Sequence, residues 1–260
     1  VSDNLGIMWI AIEGTTLASA YLVGFYDRPN SVEAAWKYLI ICSVGITLAL
    51  LGTVLLYASS VSFLGEASDA LSWSTLMDPA VLANLDVDLL RIAFIFVLVG
   101  YGTKVGLAPM HTWLPDAHSQ APTPVSALLS AVLLNCAMYG ILRFHIILSG
   151  SALGPGFSGG LLLLFGILSL ATAAAFIVMS KDYKRMLAYS SIEHMGVIAV
   201  GFGIGGPLAI MGALFHMLNH ALTKTLLFFG AGSVLQRFGT REIDGVKGLA
   251  SIMPATAILV

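Results

Sequence analysis

The stretch GYGTKVGLAPMHTWLPDAHSQAPTP, residues 100–124, sets Lys104, His111, Asp116 and His118 against a long apolar run. Glu13, Glu193, His194, His216, His220 and Lys224 lie inside equally apolar stretches elsewhere. Side chains of these types can take up, hold and release protons. Histidine titrates near neutrality, and a desolvated lysine can be drawn towards it. His216, His220 and Lys224 follow at i, i+4 and i+8, so a helix carries all three on one face over about 12 Å. A file of that kind suits stepwise proton transfer. Chelation by the two histidines lacks support: Met217 stands where the zinc-protease pattern H-E-x-x-H needs glutamate, and no third ligand is in view. No metal site is therefore expected. GFGIGG at 201–206 matches G-x-G-x-x-G only formally, because no β-α-β unit surrounds it.

The elements that must position these groups are membrane helices. The chain has 260 residues, 58% hydrophobic and 10% charged, and its mean hydropathy is +0.92. Soluble domains carry roughly 25% charged residues. A net charge of −2 gives no reason to expect a nucleic-acid partner. Apolar runs long enough to cross a bilayer lie near 4–26, 36–58, 89–118, 123–148, 160–179, 186–205 and 207–235, and an eighth starts after Pro254. The fold class is thus all-α, a polytopic transmembrane bundle of about seven spans plus the start of another. Pro109 and Pro115 predict a broken third span, whose freed backbone groups are tolerated only where protein or water meets them. No soluble domain is left over, so residues 1–260 read as one transmembrane domain. With no initiator methionine and a new apolar run at the end, the chain reads as a fragment of a longer subunit.

Basic residues orient it. Arg28, Lys37, Lys181, Lys184, Arg185, Arg237, Arg241 and Lys247 fall on one side, against Arg91 and Arg143 on the other. The positive-inside rule makes the first side cytoplasmic and the acidic 59–88 loop external, with Glu66, Asp69, Asp78, Asp86 and Asp88. Cys42 and Cys136 lie apart within apolar runs and read as small buried hydrophobes.

A charge at membrane depth costs from ~3 to above ~10 kcal/mol, so an intramembrane ionisable residue points to an ion or proton path. Glu13, Lys104 and Lys224 sit near the middles of three different spans. A buried Glu–Lys pair could merely lock two helices, but that leaves a second mid-membrane lysine and its histidines unexplained. Glu193 and His194 point about 100° apart, so one of them at most faces a shared cavity. Glu193 is the expected proton-uptake residue, with Ser190 and Ser191 placed to hold water.

Three blocks carry a family likeness: KVGLAPMHTWLPDAHSQAPTPVSALLSAVLLNCAMYGILRF, HMLNHALTKTLLFFGAGSV and DYKRMLAYSSIEHMG. They resemble the antiporter-like proton-pumping subunits of respiratory complex I, and multisubunit cation/proton antiporters share this core. IEGTTLASAYLVGFY and EAAWKYLIICSVGI lean towards the hydrogenase-4 component F branch. The resemblance implies that Glu13 and Lys104 form a switchable pair and that His216, His220 and Lys224 form a relay. It also implies partner membrane subunits and a peripheral redox arm, within a lipid bilayer, and a non-catalytic role with no cofactor in this chain. One departure stands out. Ser130 and Asn135 occupy the stretch where complex I relatives carry a titratable residue, so water, His194 or Glu193 must complete the path there. His111 lies between break and surface and could touch a proton path. Asp116 and His118 read as residues that cap and anchor the turn before the next helix. The expected function is redox-coupled proton translocation; the alternative is a subunit of a multisubunit sodium/proton antiporter.

Overall fold

The structure is a computed structural model describing residues 2–65 and 69–259, so Glu66 lies outside the described residues. Its helices are α1 (Leu5–Val23), α2 (Pro29–Leu64), α3 (Trp73–Leu76), α4 (Pro79–Asn84), α5 (Val87–Val105), α6 (Trp113–Gln120) and α7 (Thr123–Leu128). They continue with α8 (Leu134–Gly150), α9 (Pro155–Met179), α10 (Tyr183–Ile204), α11 (Gly206–Phe238), α12 (Leu249–Ile252) and α13 (Pro254–Leu259). Among the described residues extended pairing is confined to two isolated bridges, Asn4 with Ser72 and Asp182 with Glu242.

Short-range chemistry sets most boundaries. Asn4, Asp78, Asp86 and Asp182 accept hydrogen bonds from the first free amides of α1, α4, α5 and α10. Gly106 and Gly239 stop α5 and α11 in the left-handed region, at φ 79 and 68. Five helical stretches are long and apolar enough to cross a membrane: Leu5–Val23, Pro29–Leu64, Thr123–Gly150, Pro155–Met179 and Tyr183–Ile204. The two other expected spans, α5 and α11, have the length. Their apolarity is diluted by Asp88, Arg91 and Lys104 in one and by His216, Asn219, His220 and Lys224 in the other.

Three expectations about the backbone change. The 59–88 stretch is not all loop, because α2 runs on to Leu64 and α3 and α4 fill much of the rest. The third span breaks at 106–112 as expected, but Pro115 takes no part in the break. It sits in the first turn of α6, where a missing amide hydrogen costs nothing. The fourth span carries a π-turn, Leu129–Leu133, between α7 and α8, which the sequence pattern did not signal.

Two helix groups enclose the centre. α2 packs along α1 and α5, and α10 along α9 and α11. Between them, α6 touches both α2 and α10, and α8 touches both α5 and α9. The Thr123–Gly150 stretch is accordingly 67% buried over its apolar window, against 22% for α9 at the periphery. Small residues allow the closest approaches, as in membrane helix pairs generally. A methyl group added at Gly100 of α5 would lie 2.4 Å from the Ala49 amide nitrogen of α2.

Candidate proton-transfer site

Lys104 lies in the last turn of α5, just before the break that divides the third span and so near that span's middle, and its side chain is 1% exposed. Nζ donates to Thr16 Oγ1 at 2.8 Å and to Tyr38 OH at 2.6 Å, and lies 4.7 Å from the centre of the Tyr38 ring. Tyr38 OH in turn meets Ser19 Oγ at 2.7 Å. Hydroxyls donate as well as accept, so this socket can serve an ammonium or a neutral amine.

Glu13 makes no ion pair with Lys104 among the described residues. Its Oε1 accepts from Ser43 Oγ at 3.2 Å, while Oε2 is buried without a hydrogen bond. The expected pair is therefore open. The reason is register: Lys104 reaches α1 at Thr16, one turn past Glu13, and each charged group finds hydroxyls of its own.

The file on α11 is as its spacing implies. Lys224 is 0% and His220 2% exposed, and His216 is half-buried. Lys224 Nζ donates to Ser190 Oγ at 2.7 Å and to the Leu187 carbonyl at 3.1 Å. His194 of α10 completes the cluster. Its Nδ1 lies 2.9 Å from His216 Nε2, and its ring centre 5.5 Å from that of His220. One imidazole must donate and the other accept in such a contact, so a single proton sits between them. Of the adjacent pair on α10, His194 makes the hydrogen-bond contact with the file, at His216. Glu193 is half-buried and makes no hydrogen bond or ion pair among the described residues.

Ser130 and Asn135, in the stretch expected to lack a titratable residue, take different partners. Ser130 Oγ meets Ser191 Oγ at 2.8 Å, and Ser191 Oγ donates to the Leu187 carbonyl that also accepts from Lys224. Ser191 and Lys224 thus share one carbonyl acceptor, which brings the π-turn hydroxyl of Ser130 close to Lys224. Asn135 Nδ2 donates to Ala131 O at 2.9 Å and to Met217 O at 3.1 Å, leaving Oδ1 buried and unpaired. π-turns inside α-helices occur frequently at functional sites.

His118 is the residue that sequence reasoning misplaced. It does not cap a surface turn: it is 0% exposed and stacks on Phe228 of α11, with ring centres 5.3 Å apart. Phe228 lies one turn beyond Lys224. Both ring nitrogens of His118 and of His220 are buried without hydrogen bonds, and groups in that state need water or a proton carrier. A signal was present, since His118 shares the α6 face of Leu114 and Ala117 at helical spacing. Asp116 does anchor the helix end, with ion pairs to Lys37 at 3.2 Å and Arg185 at 3.1 Å. His111 lies in the break between Lys104 and α6, half-buried, with Nδ1 unpaired. Among the described residues no set of three or more His, Cys, Asp or Glu side chains converges as metal ligands would.

Residues 2–260 match the family described as NADH:quinone oxidoreductase/Mrp antiporter, TM. A hydrogenase-4 component F homolog of Methylacidiphilum infernorum is 49% identical over 253 residues, covering 97% of this chain and 52% of the relative. The chain thus spans about half the length of that relative. A chain of an archaeal membrane-bound sulfane sulfur reductase superposes with a TM-score of 0.87 at 25% identity, covering 100% of this chain and 51% of the other. A chain of the Mrp complex from Dietzia sp. gives 0.84 at 31% identity, covering 98% and 27%. These relatives are subunits of multisubunit membrane assemblies. Apolar spans, buried lysines and histidines, and a family match over nearly every residue converge: this multi-pass membrane chain belongs to the NADH:quinone oxidoreductase/Mrp antiporter family of antiporter-like membrane subunits.

Proposed function

We propose that the chain is the proton-translocating part of a membrane subunit in a complex I-like oxidoreductase of the hydrogenase-associated type. The observation that carries this reading is the pair of fully buried lysines, Lys104 and Lys224, held by hydroxyls and a carbonyl instead of acids. A lysine kept only to lock helices gains most from a direct ion pair, and neither lysine forms one among the described residues. The proton enters from the side of the basic helix ends, which is cytoplasmic. Lys104 is loaded in its socket, and Glu13, with a free carboxylate oxygen, approaches or withdraws to set how firmly the proton is held. His118 and the break at His111 pass it towards His220, Lys224 and the His194–His216 contact, with Ser130, Asn135 and Ser191 as polar groups that hold water beside the route. Redox chemistry belongs to partner subunits with a peripheral arm. The 49% identity to a hydrogenase-4 component F homolog supports the hydrogenase branch.

Lys104→Met in the full-length subunit, assembled with its partners, tests this. Redox-driven proton uptake into vesicles should fall about 10²-fold, the scale of a lost proton-transfer group, while electron transfer in the peripheral arm persists. Undiminished uptake would overturn the reading. The second reading, a sodium/proton antiporter subunit, is favoured by the 31% identity to a chain of the Mrp complex. It requires vesicle pH to respond to an imposed sodium gradient with no redox substrate present.

A further inference from the structure

On the face where the basic helix ends gather, a cavity of about 520 Å³ opens between the α1–α2 turn, the end of α6, the start of α10 and the segment after α11. Four cations line it, Arg28, Lys181, Lys184 and Arg241, against two carboxylates, Asp182 and Glu242. The cations are not equally committed. Arg241 lies 3.5 Å from Asp182 and donates to the Ser119 carbonyl. Lys184, 2% exposed in the cavity wall, donates to the Ala121 carbonyl at 2.6 Å. Arg28 and Lys181 are exposed at the rim and form no ion pair among the described residues. The site therefore has positive charge to spare.

A second cavity flanks the same α1–α2 turn and has the opposite character. It holds about 540 Å³ and is walled by Leu17, Tyr21, Gly24, Val32, Trp36 and Leu39. It runs from the turn, at Gly24 and Val32, inwards past two helical turns to Leu17 and Leu39, about 10 Å at helical rise. Tyr21 and Trp36 are 86% and 59% exposed, the amphipathic aromatics that favour a headgroup boundary. A soluble anion has use for the basic cavity alone. An amphiphile fits both.

We propose that these two cavities form one binding site for an anionic phospholipid, its headgroup phosphate in the basic cavity and an acyl chain along the α1–α2 groove. Basic pockets between membrane helices recognise anionic headgroups in this way. The bound lipid bridges α2, α6, α10 and α11, the elements around Lys184 and Asp116, and so steadies the second half of the broken helix. The site stands apart from Lys104 and Lys224 and does not rest on proton translocation.

The test is native mass spectrometry of the full-length protein, delipidated in detergent and offered equal amounts of phosphatidylglycerol and phosphatidylcholine. Phosphatidylglycerol should be retained preferentially, and Arg28→Ala and Lys181→Ala should each lower its occupancy about fivefold, with phosphatidylcholine unchanged. Arg28→Lys should retain the preference, and Trp36→Ala should weaken lipid retention with the charges intact. An unchanged preference in the Arg28→Ala/Lys181→Ala protein overturns the proposal. So does displacement of phosphatidylglycerol by millimolar inorganic phosphate, which assigns the cavity to a soluble anion.

Discussion

Lys104, Lys224, His118 and His220 are all but absent from the surface, and their neighbours are hydroxyls, carbonyls and aromatic rings. Retaining such groups at membrane depth costs several kcal/mol unless each pairs or trades its proton. Lys104 and Lys224 sit in sockets that accept either protonation state, which is the property a relay needs. His118 deserves the same reading because it is the one buried histidine of α6, the helix that touches both α2 and α10. His118→Gln keeps size and polarity but cannot titrate. Redox-driven proton uptake in vesicles should drop about 10²-fold at every pH from 6 to 8 if the imidazole carries the proton. Uptake with the wild-type pH profile would reduce His118 to a packing residue.

At the scale of elements, the broken helix and the close helix pairs do the positioning. The break is held from both sides: Ser169 Oγ of α9 accepts from the Ala108 amide at 2.9 Å, and Trp113 Nε1 donates to the Thr103 carbonyl at 2.8 Å. These contacts fix the end of α5, and with it the reach of Lys104 to Thr16. Gly100→Val, four residues earlier, would drive side-chain atoms into the α2 backbone at Ala49. Overpacking of this kind costs about 1–3 kcal/mol, and thermal unfolding in detergent should show the loss. At the opposite end, Asp3 clamps the start of α1 to the 72–74 segment. It accepts from Ser72 Oγ and from Ser74 Oγ at 2.8 Å. The Ser72 bond, followed by that of Ser74, holds the Asp3 carboxyl below its usual range. A lowered value means the clamp contributes fully above the usual carboxylate range and is lost as pH falls through the folded value. Protection against amide exchange across 69–86, taken relative to the intrinsic rate at each pH, should therefore fall in acid, and Asp3→Asn should show the lower protection already at neutral pH.

For the whole molecule, sidedness and surface follow from where charge and apolar area collect. Alternating helices bring Arg28, Lys181, Arg185, Arg237 and Arg241 to one end, while Arg91 and Arg143 mark the other. Arg143 is nearly buried there, its guanidinium 4.9 Å from the Trp73 and Tyr139 rings. The positive-inside rule predicts that the Trp73 end lies outside. A cysteine at Ser74 should then react with an impermeant maleimide in intact cells, and one at Thr240 only after permeabilisation; the reverse pattern would invert the topology. Large apolar side chains cover the outward faces, with Tyr21, Val178 and Leu208 each at least 86% exposed, as surfaces meant for lipid or for neighbouring membrane helices are.

The chain's own pattern settled the kind of elements because bilayer thickness demands runs of about 20 apolar residues, and aspartate, glycine and proline mark their ends locally. It also exposed Glu13, Lys104, His216, His220 and Lys224, since charge inside such a run is conspicuous by itself. Partnership was not legible. Whether Lys104 meets Glu13 or Thr16 depends on the register between α5 and α1, which a single turn of offset reverses. The His194–His216 contact, and that of Ser130 with Ser191, emerge only when α10 is rotated against α11 and the π-turn. His118 looked like a surface cap in one dimension. Packing α6 between the two helix groups put it against Phe228, in the interior, because only the tertiary structure decides which face of a short helix has neighbours on both sides.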